Sequence, residues 1–416
     1  MFSKVRHFWK SLGPGIVTGA SDDDPAAIAT YSLAGARYGY GMLWVLVFIL
    51  PFMVTLQEMS ARIGALSGCG LAGNLKRHYS KFFLLLVATI IVVANTLNVG
   101  ANIYGMAGAI NLLLPMPVQA LAFILSAIIV LLVIFLDYEQ ITRLFKWVAL
   151  SLFAYVFAFF MVKTDWSSLI FHAFIPSISF NREYIILLFA VIGTSLSPYL
   201  YFWQASEEAE EVRLNKPRIR ICKYRTITSG TLKRMELDTK LGMMFSNFIS
   251  FFIIALTAAT IFKTGNPSES LRDIAQALQP LAGQYAYLLF TAGLIGSGLL
   301  AIPVLAGSAA YVVSEIFEWE AGFNKHLAHA KEFYFVVMIS IVIGLFIPFL
   351  GIAPLQALLY TSVLNGIITP LLIVVVVHMA NNKNIVGPYT TKPISNYLGI
   401  ISFLIMITGT IYIFIS

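Results

Sequence analysis

The chain is a succession of long apolar runs, and that pattern constrains it more than any other feature. A hydrocarbon core about 30 Å thick is crossed by about 20 apolar residues in a helix. Eleven such segments follow one another, at 12–35, 42–64, 82–113, 118–136, 141–162, 184–206, 237–262, 285–316, 333–349, 355–380 and 397–415. The third and eighth are long enough to tilt or to extend past the core. No polar stretch between them is long enough for a soluble domain. Only 11% of residues are charged and 59% are hydrophobic, against about 25% charged in a soluble domain. The fold class expected is therefore an all-α integral membrane protein of eleven transmembrane helices. A soluble enzyme, a disordered chain and a nucleic-acid-binding module are excluded.

Lysine and arginine set the orientation. The net charge is +7, and 22 of the 27 basic residues share one side if residues 1–11 form a cytoplasmic tail. The exceptions are Arg37, Lys163, Arg182, Lys263 and Arg272. The surplus thus reads as topology and contact with anionic lipid headgroups, not as a nucleic-acid partner. The N-terminus is expected inside a plasma (bacterial inner) membrane, and the odd helix count puts the C-terminus outside. No cleavage site follows the basic start MFSKVRHFWK. Cys69 and Cys222 are too few for a disulfide framework, lie on the cytoplasmic side, and are expected to be reduced. The longest polar segment, 207–234, opens with Glu207, Glu208, Glu210 and Glu211 and continues with a basic half. It reads as a solvated cytoplasmic loop lying near lipid headgroups.

Polar residues at membrane depth are costly and mark function. The sharpest case is the first segment, where Asp22, Asp23 and Asp24 stand together before Pro25. Proline removes a backbone donor and disfavours helical geometry at the residue before it, so the helix breaks there. Broken helices survive in membranes where the freed backbone lines a cavity or is buried in protein. Carboxylates beside freed carbonyls make a cation site, and consecutive side chains point different ways, so one or two of the three serve as caps or line a water path. A second break is expected at Gly193-Thr194-Ser195-Leu196-Ser197-Pro198-Tyr199, 173 residues further on. Each break lies in the first helix of a set of five. Residues 12–162 and 184–380 then form an inverted repeat, with 381–416 a cytoplasmic loop and an eleventh helix. Asn95, Asn98 and Asn102 share one face of the third segment, and Thr361, Ser362 and Asn365 mark the tenth; interhelical hydrogen bonding is the plain reading of both groups. The repeat brings Asn365 beside the two breaks. Gln57 and Glu58 gate or sit at the interface, and His378 is interfacial.

The stretch 13–77, with GPG, DDDPAAIATYSLAGARYGYGMLW, LQEMSARIGALSG and GLAGNLKR, resembles the opening of the Nramp family of divalent metal transporters. GTSLSPYLYFWQ at 193–204 and MELDTKLGMMFSNF at 235–248 extend the likeness. The resemblance implies a fold of the amino-acid/sodium symporter type and alternating access. It aligns the family's Asp-Pro-Gly-Asn with Asp24-Pro25-Ala26-Ala27, so Asp24 matches the metal-binding Asp and Ala27 replaces the Asn ligand. It aligns Met-Pro-His with Ser197-Pro198-Tyr199, makes the Thr194 carbonyl a ligand, and puts the helix 10 Gln at Ser362. Losing the Met sulfur leaves an oxygen-only set, which suits Mg2+, Ca2+ and Mn2+. A roomy, carboxylate-rich site suits hydrated Mg2+, as in the Nramp-related magnesium transporters. Tyr199 replaces the His of proton-coupled members, the helix 3 acids fall at Val99 and Asn102, and 333–349 holds no charge. Uncoupled transport of Mg2+, with Mn2+ second, is the expectation; proton-coupled Mn2+/Fe2+ transport is the alternative. The cation is substrate, no cofactor is implied, and a monomer or weak oligomer is expected. An organic-solute carrier ranks lower because three aspartates repel a substrate carboxylate; a channel ranks lower because paired breaks suit a carrier. No nucleophile–base set points to an enzyme.

Overall fold

The computed structural model describes residues 14–135, 150–215, 222, 227–265 and 270–415. Among them every regular element is a helix, and nine helical stretches are long and apolar enough to cross a membrane. In chain order the principal helices are α1 (Pro14–Asp22), α2 (Pro25–Tyr38), α3 (Leu43–Ser67), α4 (Leu71–His78) and α5 (Lys81–Asn111). Next come α6 (Val118–Phe135), α7 (Phe153–Met161), α8 (Trp166–Phe174), α9 (Arg182–Ser195) and α10 (Pro198–Asn215). The last are α11 (Ser229–Thr260), α12 (Ala286–Phe317), α13 (Lys331–Gly344), α14 (Pro354–Asn381) and α15 (Pro393–Ile415). Where described, the expected spans match these to within a few residues, except that the sixth runs on to Asn215 instead of ending at Ser206 and the seventh begins at Ser229 instead of Leu237. Residues 141–149 of the fifth fall outside the described residues, which keep 150–162 of it, including α7.

Both expected breaks are present, and each starts again at proline. Asp24 is extended, at φ −71° and ψ 169°, and its carboxylate caps α2 by accepting the Ala27 N–H at 2.7 Å. This is the geometry a residue before proline prefers, and Pro25 at the first helical turn loses a donor that would have been orphaned anyway. At the second break α9 stops at Ser195 and α10 begins at Pro198.

The broken helices are buried at the centre. α1 and α2 pack on α11, α9 on α14, and α10 on α3 and α12. Small residues allow the closest approaches. A Cβ on Gly19 of α1 would collide with the Gly242 backbone of α11. One on Gly193 of α9 would lie 2.6 Å from the Gly366 nitrogen of α14. Arg62–Glu236, Lys240–Glu58 at 3.2 Å and Lys76–Glu318 at 2.7 Å pair residues all expected on the cytoplasmic side.

Two expectations are corrected. Residues 207–234 are not one solvated loop: α10 runs on to Asn215 and α11 begins at Ser229. Glu207, Glu208 and Glu210 are helical and buried. Partners from other helices make this possible. The Tyr311 hydroxyl of α12 lies 2.9 Å from Glu207 and 2.5 Å from Glu210, and Gln204 donates to Glu208 at 2.9 Å. Buried carboxylates persist where hydrogen bonds replace water. Most of the basic half lies outside the described residues; Arg213 donates to the Gly68 carbonyl at 3.0 and 3.1 Å. The cysteines are likewise not free: Cys69 and Cys222 are joined as a disulfide, with Cα atoms 5.0 Å apart. They lie 153 residues apart in the chain, and only the tertiary fold sets Cys222 beside the α3–α4 turn that carries Cys69.

Candidate functional site

Three buried aspartates dominate the centre. Asp22, Asp23 and Asp24 are 1%, 0% and 3% exposed. A charge at the middle of a membrane helix costs about 2.5–3.5 kcal/mol even on the lenient insertion scale. Among the described residues no lysine or arginine forms an ion pair with any of them.

Asp24 is held on two sides. Its Oδ1 accepts from the Ala27 N–H, and its Oδ2 accepts from Asn102 Nδ2 at 2.8 Å. Asn102 Oδ1 in turn accepts the Ala26 N–H at 3.1 Å. Ala27 is fully buried and contributes its N–H, not a side-chain ligand. Beside it, Ser362 of α14 accepts from Thr30 at 2.8 Å, with its own hydroxyl 3.5 Å from the Ala26 carbonyl. Asn365, one turn further, accepts from Asn98 at 2.9 Å. The asparagine face of α5 thus reaches three places. Asn95 donates to the Leu305 carbonyl at 3.2 Å, Asn98 meets α14, and Asn102 meets the break.

At the second break the Ser197 hydroxyl donates to the Thr194 carbonyl, so the two oxygens expected as ligands face each other. Tyr199 spans the breaks: its hydroxyl donates to the Ser21 carbonyl at 3.0 Å, and its own carbonyl accepts from Ser308 at 3.0 Å. Thr18 of α1 donates to Gln204 of α10 at 2.5 Å, a second tie between the two broken helices. Gln57 is buried and donates to the Leu200 carbonyl at 2.9 Å. His378 lies toward one end of α14, 2.6 Å from the Tyr79 hydroxyl.

Ser246 and Ser250 of α11, which bond to Asp22 and Asp23, were not singled out from the sequence. The available signal was two small hydroxyls four residues apart at membrane depth, one helical face. No group of three or more His, Cys, Asp or Glu positioned to hold a metal occurs among the described residues. An ion at this centre would be held by few carboxylates, with hydroxyl, amide and carbonyl oxygens completing its shell, as hard cations are.

A family model described as "Natural resistance-associated macrophage protein-like", Nramp, matches residues 15–416. The chain belongs to the Nramp family. The divalent metal cation transporter MntH of Caldanaerobacter subterraneus is 24% identical over 416 residues, covering 98% of this chain and 93% of that protein. The manganese transporter of Eremococcus coleocola superposes with a TM-score of 0.72 at 16% identity, covering 98% of this chain and 87% of the other. Mhp1, in an inward-facing conformation, superposes with a TM-score of 0.52 at 14% identity, covering 97% and 91%. This Nramp chain therefore has the helical transporter fold of the amino-acid/sodium symporter type, with its two interrupted helices at the centre.

Proposed function

We propose that this chain is a divalent metal cation carrier that works by alternating access around the two helix breaks. The observation that carries the reading is the run of three buried aspartates at the first break, unpaired with any described basic residue, at a break that the Tyr199–Ser21 hydrogen bond ties to the second one. In this reading Asp24 is the principal charge on the ion. The Thr194 carbonyl and Ser197 supply oxygens from the second break. Ser362 and Asn365 supply oxygens from α14, directly or through water, and Asp22 and Asp23 add charge. Ala27 and Tyr199 line the space that larger or softer ligands would fill. The two five-helix sets form an inverted repeat, the N-terminus is cytoplasmic and the C-terminus outside, and the membrane is the bacterial inner membrane.

The relatives favour manganese. The named proteins that resemble this chain are a divalent metal cation transporter and a manganese transporter, so Mn2+ transport of the Nramp type takes first place over the magnesium expectation, and proton coupling goes with it only as the family resemblance implies. One observation supports the second reading, hydrated Mg2+ without tight coupling: Asp24, Thr194 and Ser197 offer only oxygen. Uptake into liposomes separates the two. Saturable Mn2+ flux with lumen acidification, little affected by excess Mg2+, supports the first reading. Mg2+ flux without acidification supports the second. Unchanged flux in Asp24→Ala would discard the site in both.

A further inference from the structure

The three aspartates serve two different sides of the break. Asp24 turns to α5 and to the start of α2. Asp22 and Asp23 turn to α11. The Ser246 hydroxyl lies 2.9 Å from Asp22 Oδ2 and 3.3 Å from Asp23 Oδ1, and Ser250 donates to Asp23 Oδ1 at 2.9 Å. Ser246 and Ser250 are one helical turn apart and present a single face. The Tyr31 hydroxyl of α2, 2.9 Å from Ser195 of α9, stands beside the same group. Four helices therefore converge on one oxygen-rich point.

The point is incompletely satisfied. Asp22 Oδ1 and Asp23 Oδ2 have no hydrogen-bond partner, although their residues are 1% and 0% exposed. A buried carboxylate oxygen without a donor carries its full desolvation cost, and two carboxylates gathered on one serine repel each other. No basic side chain among the described residues pairs with either. Hydroxyls alone do not balance two negative charges.

We propose a second cation site, between the first break and α11, in which Asp22, Asp23 and Ser246 hold a hard divalent ion and Ser250 orients Asp23. Two carboxylates match one divalent charge, and carboxylate and hydroxyl oxygens are the ligands that Mg2+, Ca2+ and Mn2+ take. The ion clips α1 to α11 where Gly19 already meets Gly242. The site adjoins the Asp24 side of the break, where Ser197 also stands beside Asp22, and does not depend on Asp24 carrying the transported ion.

The purified full-length chain in detergent, titrated with Mn2+ while free Mn2+ is counted by electron paramagnetic resonance, tests this. A bound ion is expected whose affinity falls about a hundredfold in the Ser246→Ala/Ser250→Ala double variant, about tenfold per lost hydrogen bond to a charged group. The same ion is expected to survive in Asp24→Asn. Melting temperature without metal, unchanged in the serine variant, shows that it folds. If no bound Mn2+ responds to the serines, the site is overturned. It is equally overturned if Asp24→Asn removes the serine-sensitive ion, because one shared site would then explain both. Failure of the carrier reading shows separately, as absent flux in liposomes, and leaves the serine-sensitive ion in place.

Discussion

Asn102 grips Asp24 across the break: its amide nitrogen donates to Asp24 Oδ2 at 2.8 Å while its amide oxygen accepts the Ala26 N–H at 3.1 Å. One side chain from α5 therefore fixes both the carboxylate and the start of α2. Asn102→Ala leaves the carboxylate oxygen without its donor. Hydrogen bonds to charged groups contribute about 1.5–3 kcal/mol, so metal uptake at subsaturating concentration is expected to fall about tenfold to a hundredfold. Uptake into liposomes, normalised to reconstituted protein, checks this, and wild-type uptake would remove Asn102 from the site.

Ser197 stands where the resembled family carries a thioether. Restoring it with Ser197→Met adds a soft ligand, which Mg2+ does not use and transition metals accept. The expected outcome is a rise in the Mn2+ to Mg2+ flux ratio of about tenfold, about 1.4 kcal/mol of discrimination. Paired flux measurements with the two ions in the same vesicles read it directly. An unchanged ratio would place Ser197 away from the ion.

Gly19 and Gly242 bring α1 and α11 into backbone contact. A larger side chain forces the helices apart, and overpacking of this kind costs about 1–3 kcal/mol. Gly19→Val is expected to lower the melting temperature in detergent and to reduce transport. Gly230→Ala, where a Cβ meets nothing within 4 Å, is the matched control and should leave the melting temperature unchanged or raise it.

The Cys69–Cys222 bond closes a segment of 153 residues. Protein unfolded without reductant should take up no maleimide-polyethylene glycol, and two molecules after reduction. Cys222→Ser is expected to cost about 2–4 kcal/mol of stability under oxidising conditions. Under reducing conditions the variant and the wild type should melt alike. Labelling of unreduced protein would show that the thiols are free in the cell-derived material.

Much of the architecture was legible from local chemistry. Apolar runs marked the spans because the bilayer sets their length. Pro25 and Pro198 marked both breaks because a missing N–H and a ring clash act within a few residues of the proline. Asp24 was legible as a special residue for the same reason. Its neighbours were not. That Asp24 is gripped by Asn102, while Asp22 and Asp23 turn to Ser246 and Ser250, depends on where α5 and α11 lie.

The glutamates of α10 make the same point from the other direction. By composition Glu207, Glu208 and Glu210 belong in water; the tertiary structure buries them because Tyr311 and Gln204 supply donors. Cys69 and Cys222 read as free thiols until packing joined them. The sequence by itself determined the membrane-spanning class, both breaks and the carboxylates at one of them, because periodicity, proline geometry and charge are properties of neighbouring residues. Only the tertiary structure decided which oxygen each carboxylate offers and which it spends, because a hydrogen-bond partner 78 or 224 residues away is chosen by helix packing and not by spacing in the chain.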